Sequence, residues 1–521
     1  MSKTVWLIGA ALVLALYIGC DKQEEVDTTN PVVTIAAPAD GSTHPAGIIN
    51  IKAVATDNKG VTRVEFYSGR TKLGETTTAT GDTFMFGWDA STAEDSSSHD
   101  LYATAYDAAD NSAEASVTVN ITATGVRLWT GTLTQNATIR EGDTVVLRGG
   151  VFVGDDVSQT VLTIEPGATI LGEASTKGML VIRRNSKIMA VGTKERPIVM
   201  TSEKPAGQRS RGDWGGLIIN GKAPLNTGDE AYGEGGTGYY GGTDANDNSG
   251  QLSYVRVEFA GREISPDNEL NGIALQGVGS GTQIDHVQIH MNKDDGIEFF
   301  GGTANAKYVL ITGVADDCFD FTDGWQGKAQ FIVAQQYPDD GDNGFECDNN
   351  GEDHSSTPMS NPLIYNFTMI GADTSSYSDD GTLLRAGTMG KWYNGIVTKF
   401  NDCWFDIDDS VTWANADGGS LVLDNTIFFN NKNFKEDGDT LTGHRVRTFA
   451  LTTMQHNAEA TGSVVVDPLN IDSPNFKPTG EALTHPVATP PNDGFFTPVN
   501  FIGGVDPNDD WTAGWTTKAR N

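Results

Sequence analysis

One short motif recurs through the second half of the chain, and its spacing constrains the fold more than any other feature. An acidic residue or Asn is followed by Gly or Cys and then by a short strand. The instances are NGIALQG from Asn271, DGIEFFGG from Asp295, DCFDFTDG from Asp317, NGFECDNN from Asn343, DGTLLRAG from Asp380 and DCWFDIDD from Asp402. Successive starts lie 24, 22, 26, 37 and 22 residues apart, and the long step holds a polar insertion, NGEDHSSTPMS. A period of that length suits one coil of a solenoid. A second strand lies between motifs, as in LSYVRVEFAG, QIDHVQIHM, KYVLITGVA, AQFIVAQQY, LIYNFTMIG and WYNGIVTKF. Two clear strands per coil, Gly/Asn/Asp corners and almost no helical periodicity predict a right-handed parallel β-helix over residues 124–470.

The chain has 521 residues, more than one ordinary core organises, so at least two domains are expected. Residues 30–123 have a different rhythm. VVTIAAP, IINIKAVAT, VTRVEFYSG, TFMFGWDAS, DLYATAYDA and AEASVTVNIT alternate with turn clusters, which predicts about seven strands of a sandwich. The runs VEFYSGRTKLGE, FGWDAST and YATAYDAADNSAEASVTVNI closely resemble bacterial Ig-like domains. That resemblance implies a spacer or binding module, with Trp88 and Tyr106 expected in its core. The fold class is therefore all-β: an N-terminal Ig-like β-sandwich followed by the β-helix.

The N-terminus reads as an address. Residues 1–19 hold Lys3 and then an apolar run, Val5 to Ile18, that is short for a bilayer span and ends at Gly19-Cys20. This resembles the lipobox of bacterial lipoproteins and implies lipidation at Cys20. The acidic stretch 20–29 reads as a tether, and its position resembles the surface-export signal of Bacteroidetes lipoproteins. The expected location is the outer membrane, lipid-anchored and exposed at the cell surface.

The runs LTIEPGATILGE, LVIRRNSKIMAVGTKERPIVMTS, GDWGGLIINGKAP and YVRVEFAG, with the tail NFIGGVDPNDDWTAGWTT, resemble a largely uncharacterised group of bacterial β-helix surface lipoproteins. The resemblance spans roughly residues 140–521 and implies the fold, not a chemistry. Residues 471–521 are expected to run back along the solenoid, with Trp511 and Trp515 capping its open core end. The Gly-rich stretch 227–250 is expected to be a long surface loop.

The formal net charge of −34 excludes nucleic acid as a partner and favours cations. Contact with a membrane is expected through the lipid anchor only. Besides Cys20, the cysteines Cys318, Cys347 and Cys403 are expected to be buried thiols, because no CxxC pair exists and their register keeps them apart. His286 and His290 are four apart on one strand, too distant to chelate one ion.

Aligning the motifs stacks Glu298, Asp320 and Glu346 one per coil on the outward side of a strand column. Like charges at about 4.8 Å repel and require compensation. One answer is calcium, for which Asp244, Asn246, Asn248, Asp340 and Asp342 offer oxygens at loop spacing. Another is glycosidase chemistry with Glu298, Asp317, Asp320 and Glu346 as candidates. Asp316-Asp317-Cys318 resembles an element of polygalacturonases, but their Gly-His-Gly and Arg-Ile-Lys elements are missing, and His444 in TGHRVR does not supply them. The third is plain solvation, with corner Asp and Asn bonding their own turns. Trp325, Tyr337, Trp392 and Tyr393 are the aromatics that could line a cleft.

The reading is a cell-surface binding or structural protein directed at polysaccharide or another surface protein. Glu298, Asp320, Glu346, Trp325 and Tyr337 are its candidate binding residues, no catalytic residue is assigned, and calcium is the one expected cofactor. The alternative is a polysaccharide-degrading hydrolase or lyase acting on the acidic face.

Overall fold

The computed structural model describes residues 27–45, 48–90, 97–122, 126–265, 268–430 and 445–521. Cys20, the leader and most of the tether lie outside the described residues, as does His444. The chain divides into two compact units, one ending at Thr122 and the other running from Ala123 to Asn521. Among the described residues no helix is long and apolar enough to cross a membrane.

The first unit is a two-sheet sandwich. One sheet orders Val32–Ala37, Ile48–Thr56, Thr83–Asp89 and Ala79–Thr80; the other orders Ser42–Pro45, Ser112–Thr122, Ser98–Asp107, Val61–Ser68 and Thr71–Thr76. Period-2 alternation sends Ile51, Ala53, Val64, Phe66, Leu101, Ala103, Ala105 and Val119 inward. Trp88 joins this core. Tyr106 does not: it alternates outward, half-buried, with the Arg63 guanidinium 3.9 Å above its ring.

The second unit is a parallel β-helix whose paired strands run from Val126–Leu133 to Ala458–Glu459. From Gly250 onward each coil carries the two expected strands, one long and one short, and together they serve three sheets. The long strand of a coil bends in its middle and serves two sheets. The bend falls on one residue in the left-handed region: Tyr254 (φ 48°), His286 (φ 50°), Tyr308 (φ 57°), Phe331 (φ 60°), Asn366 (φ 54°) and Asn394 (φ 62°). The ladder skips that residue, pairing Ser253 with Asp285 and then Val255 with Val287. Asn tolerates this conformation; bulky side chains do not. The aromatic bends gain from stacking on each other, with ring centroids 4.4 Å apart for Tyr254–His286, 4.3 Å for His286–Tyr308 and 4.8 Å for Tyr308–Phe331. His286 therefore sits on a corner and does not share a face with His290.

The first sheet contains 250–253, 283–285 and 305–307, and the second 255–258, 287–290 and 309–312. The third contains Ile273–Gln276, Ile297–Phe300, Phe319–Thr322, Phe345–Asp348, Leu383–Arg385 and Asp406–Ile407. Inward residues stack coil on coil into one core, as Ile273, Ile297, Phe319 and Phe345 do. Cys318, Cys347 and Cys403 are free and buried.

The C-terminal segment returns along the aromatic corner and the second sheet. Outward Leu310, Val333, Ile370, Ile396 and Ile427 pack against Val465, Phe476, Ile502 and Val505. Corner amides bind its carbonyls: Asn366 Nδ2 donates to Phe501 at 2.8 Å and Asn394 Nδ2 to Ala488 at 2.9 Å. Trp511 and Trp515 do not cap the core end. They lie at the side, Trp511 5.4 Å from Tyr308 and Trp515 5.4 Å from Tyr254, because the outward apolar corner needs cover. Near the last coils the core continues into the helix Ser410–Asp417 and the turn Phe449–Thr453, through Trp413 and Phe449.

Candidate functional site

The motif's first residue sits at the corner entering the third sheet, where its side chain forms a rung. Asp295 Oδ1 accepts the backbone N–H of Asp317 at 3.1 Å, Asp317 Oδ1 that of Asn343 at 2.7 Å, and Asn343 Oδ1 that of Asp380 at 3.1 Å. Each bond satisfies an amide that the turn would otherwise leave unpaired. The small second residue is required because the chains approach closely: a Cβ on Gly296 would lie 2.4 Å from the Cys318 carbonyl oxygen.

Three residues on, Glu298 pairs with Asp320 and Asp320 with Glu346 across adjacent strands. The expected register is present, and the flanking residues point inward. Solvation is not. Glu298 is 7% exposed, Asp320 8%, and the corner acids Asp295 and Asp317 are also buried. Segments inserted between coils wall the column in. The hairpin Ala231–Gly233/Gly238–Tyr240 packs Tyr240 against Phe300, and Asn220 Nδ2 donates to the Thr237 carbonyl at 3.0 Å. The stretch 227–250 is thus partly a packed hairpin.

Burial, more than any neighbour, pushes the carboxyls of Asp295, Glu298, Asp317 and Asp320 well above the usual range; adjacent acids add to it. Burial and nearby carboxylates also raise Asp294, Asp342 and Glu234 to about 7. Glu346 is raised by burial, against the opposing pull of Arg385. The Arg385 guanidinium binds Glu346 and, through Nε, Asp348 at 3.0 Å.

Oxygens of Asp295, Glu298 and Asp320 lie within 4.8 Å of one another. Among the described residues neither Asp320 Oδ1 nor Asn271 Oδ1 has a hydrogen-bond partner, although Asn271 Nδ2 donates to Glu298. An all-oxygen set with two unpaired buried oxygens fits a hard cation such as calcium. Asp316, Asp317 and Asp342 form a second convergent trio.

Several sequence candidates are placed elsewhere. Asp244 and Asn248 accept the N–H groups of Asn246 and Gly250 and so tie down their own loop, while Asn246 Oδ1 accepts from Ser280 Oγ and joins that loop to the next coil. Asp340 pairs with Lys293 at 3.2 Å; only Asp342 of the five loop candidates joins the acids. Trp325 is no binding residue: it is fully buried, 4.2 Å from Phe299, with Nε1 donating to the Ala304 carbonyl. Tyr337 is buried beside Phe259 and Met291, and Trp392 is core. Both tryptophans lie in the core that the coils enclose, Trp325 5.2 Å and Trp392 6.2 Å from the inward ring of Phe321. Tyr393 stacks on Tyr365 at 5.0 Å. Asp294, Asp295, Asp316 and Asn271 were not among the candidates; the recurrent doublets Asp294-Asp295 and Asp316-Asp317 before Gly or Cys are the signal that marks them.

Fold and site together define a parallel β-helix with a carboxylate column walled in on one sheet, preceded by an Ig-like sandwich. A family model described as a pectate-lyase-like β-helix domain matches residues 131–516, and the chain belongs to that family. A second, described as a bacterial Ig domain, matches residues 31–103. No curated protein matches the chain. Among solved structures, the fibronectin(III)-like modules of Clostridium thermocellum CbhA are 26% identical, covering 18% of this chain and 97% of theirs at a TM-score of 0.16. An engineered protein is 25% identical over 18% of this chain and 20% of its own, at a TM-score of 0.15.

Proposed function

We propose that the protein is an outer-membrane, surface-exposed lipoprotein, lipidated at Cys20, that binds an acidic polysaccharide through calcium held on the third sheet. The Ig-like module serves as its spacer. The observation that carries this reading is the convergence of Asp295, Glu298 and Asp320 oxygens within 4.8 Å, with Asp320 Oδ1 buried and without a hydrogen-bond partner among the described residues. Buried carboxylates so close need protons or a cation, and a cation with free coordination positions can bridge to carboxylates of a uronic-acid chain. The test is calorimetric melting of the chain lacking residues 1–20, in chelator, in calcium, and in calcium with polygalacturonate. Stepwise rises in Tm are expected. No calcium shift overturns the metal, and no further shift overturns the glycan.

A second reading is degradation of that polysaccharide. Its support is the pair Glu298 and Asp320, held above the usual carboxylate range on adjacent strands, as a general acid must be. Release of new chain ends by the wild type, abolished in Glu298→Gln, would establish it.

A further inference from the structure

We infer a second binding groove on the outer face of the first sheet, taking a neutral polysaccharide chain. The groove encloses about 510 Å³ and crosses three coils. Its floor is built by register. Gln251 pairs with Gln283 and Gln283 with Asn305, while Ser253 pairs with Asp285 and Asp285 with Lys307. The intervening Leu252, Ile284 and Ala306 are buried, so both rows face outward. Gly494 and Phe495 of the returning C-terminal segment form one wall, fastened by Lys307 Nζ donating to the Phe495 carbonyl at 2.8 Å and to Thr497 Oγ1 at 2.7 Å.

The chemistry of this lining selects the ligand class. The side-chain amides of Gln251 and Gln283 have no hydrogen-bond partner in the protein among the described residues, and each offers donors and an acceptor to a hydroxyl. Lys307 is committed to the wall, and Asp285 has His286 Nδ1 beside it. What remains open is the amides of Gln251 and Gln283 and the half-buried Ser253 hydroxyl; at the rim, Ser280 Oγ is spent on the Ala245 carbonyl at 3.1 Å and Thr282 Oγ1 on the Ser249 N–H at 2.9 Å. A protein partner would need a buried apolar or aromatic anchor, and the floor has none. A polyanion would need free cations. A hydroxyl-rich, uncharged chain needs neither. Rows of amides repeat once per coil, at about 4.8 Å, close to the advance of one sugar along an extended glycan. The half-buried Phe495 ring gives a sugar face an apolar wall.

The groove is independent of the acidic column and of calcium, and its test separates the two. Hexasaccharides of β-glucan, xylan and mannan are titrated calorimetrically into the chain lacking residues 1–20, in chelator. At least one is expected to bind. Gln251→Ala with Gln283→Ala, two surface changes, is expected to weaken that binding at least tenfold with Tm and the calcium shift unchanged. Glu298→Gln is expected to leave it intact. Binding of none of the three, binding only with calcium, or equal binding by the double variant overturns the inference. Should the double variant melt lower, Gln283→Glu, which keeps the size and removes the donor, replaces it under the same criterion.

Discussion

Asp317 Oδ1 accepts the backbone N–H of Asn343, one coil further on, at 2.7 Å. A residue of the acidic column is therefore also a rung of the solenoid, and the two duties can be separated by substitution. Asp317→Asn keeps the acceptor and removes one buried acid, so its Tm is expected to equal or exceed that of the wild type in chelator. Asp317→Ala leaves the Asn343 amide unpaired, a cost of about 1–3 kcal/mol. Urea melts of the two variants check the order; an alanine variant as stable as the asparagine one refutes the rung.

Stability should depend on pH in an unusual direction. The folded-state carboxyls of Asp294, Asp342 and Glu234 are raised to about 7, and burial holds those of Asp295, Glu298 and Asp320 well above the usual carboxylate range. A raised acid binds more protons folded than unfolded, so its contribution is present at low pH and is lost as pH rises from the ordinary carboxylate value toward the folded one. In chelator, Tm is expected to fall between about pH 4 and pH 7. Calcium, taking the place of the protons, should flatten that fall. Calorimetry across this range decides; a chelated protein that grows more stable toward pH 7 contradicts it.

His290 acts in the opposite sense and can be isolated by mutation. It is fully buried, Nδ1 lies 2.7 Å from Thr312 Oγ1 and Nε2 2.9 Å from the Ala519 carbonyl, and burial lowers its pKa to about 4. The folded state therefore holds it neutral, and stability is lost as pH falls from about 6.5 toward 4. His290→Gln should lower Tm at pH 7 through lost contacts and, with the histidine's opposing loss removed, should make Tm rise more steeply than in the wild type as pH falls from about 6.5 toward 4. The difference between the two pH profiles is the measurement.

Trp325→Ala should cost about 3–5 kcal/mol as a core truncation. Trp325→Phe should restore most of it. Neither should alter calcium or glycan affinity in protein that remains folded, measured by titration below the melting range.

The legible parts of the molecule are those set by local periodicity. The Asp/Asn–Gly/Cys step and the alternation of Ile297, Glu298 and Phe299 report the coil and the register of the third sheet, because each residue's inward or outward direction follows from its neighbours. Three things are not local. The bend at Tyr254, His286 and Tyr308 is hidden because aromatic residues rarely take positive φ and are held there by rings in other coils. The burial of Glu298 and Asp320 depends on segments inserted between coils, which no period announces. Trp325 appears beside the acids in sequence yet faces the core, because the chain turns between Thr322 and Lys328.

A bare solenoid joins each coil only to the next, so force applied along its axis can peel coils off singly. Here the returning segment ties distant levels together: Gln288 donates to the Thr517 carbonyl, 229 residues away in sequence, and Asn366 to that of Phe501, 135 away. No tied coil can leave until that lashing is torn, so under tension the tied coils should give way together as a block, and the rod resists shear at a surface better than its repeats alone would.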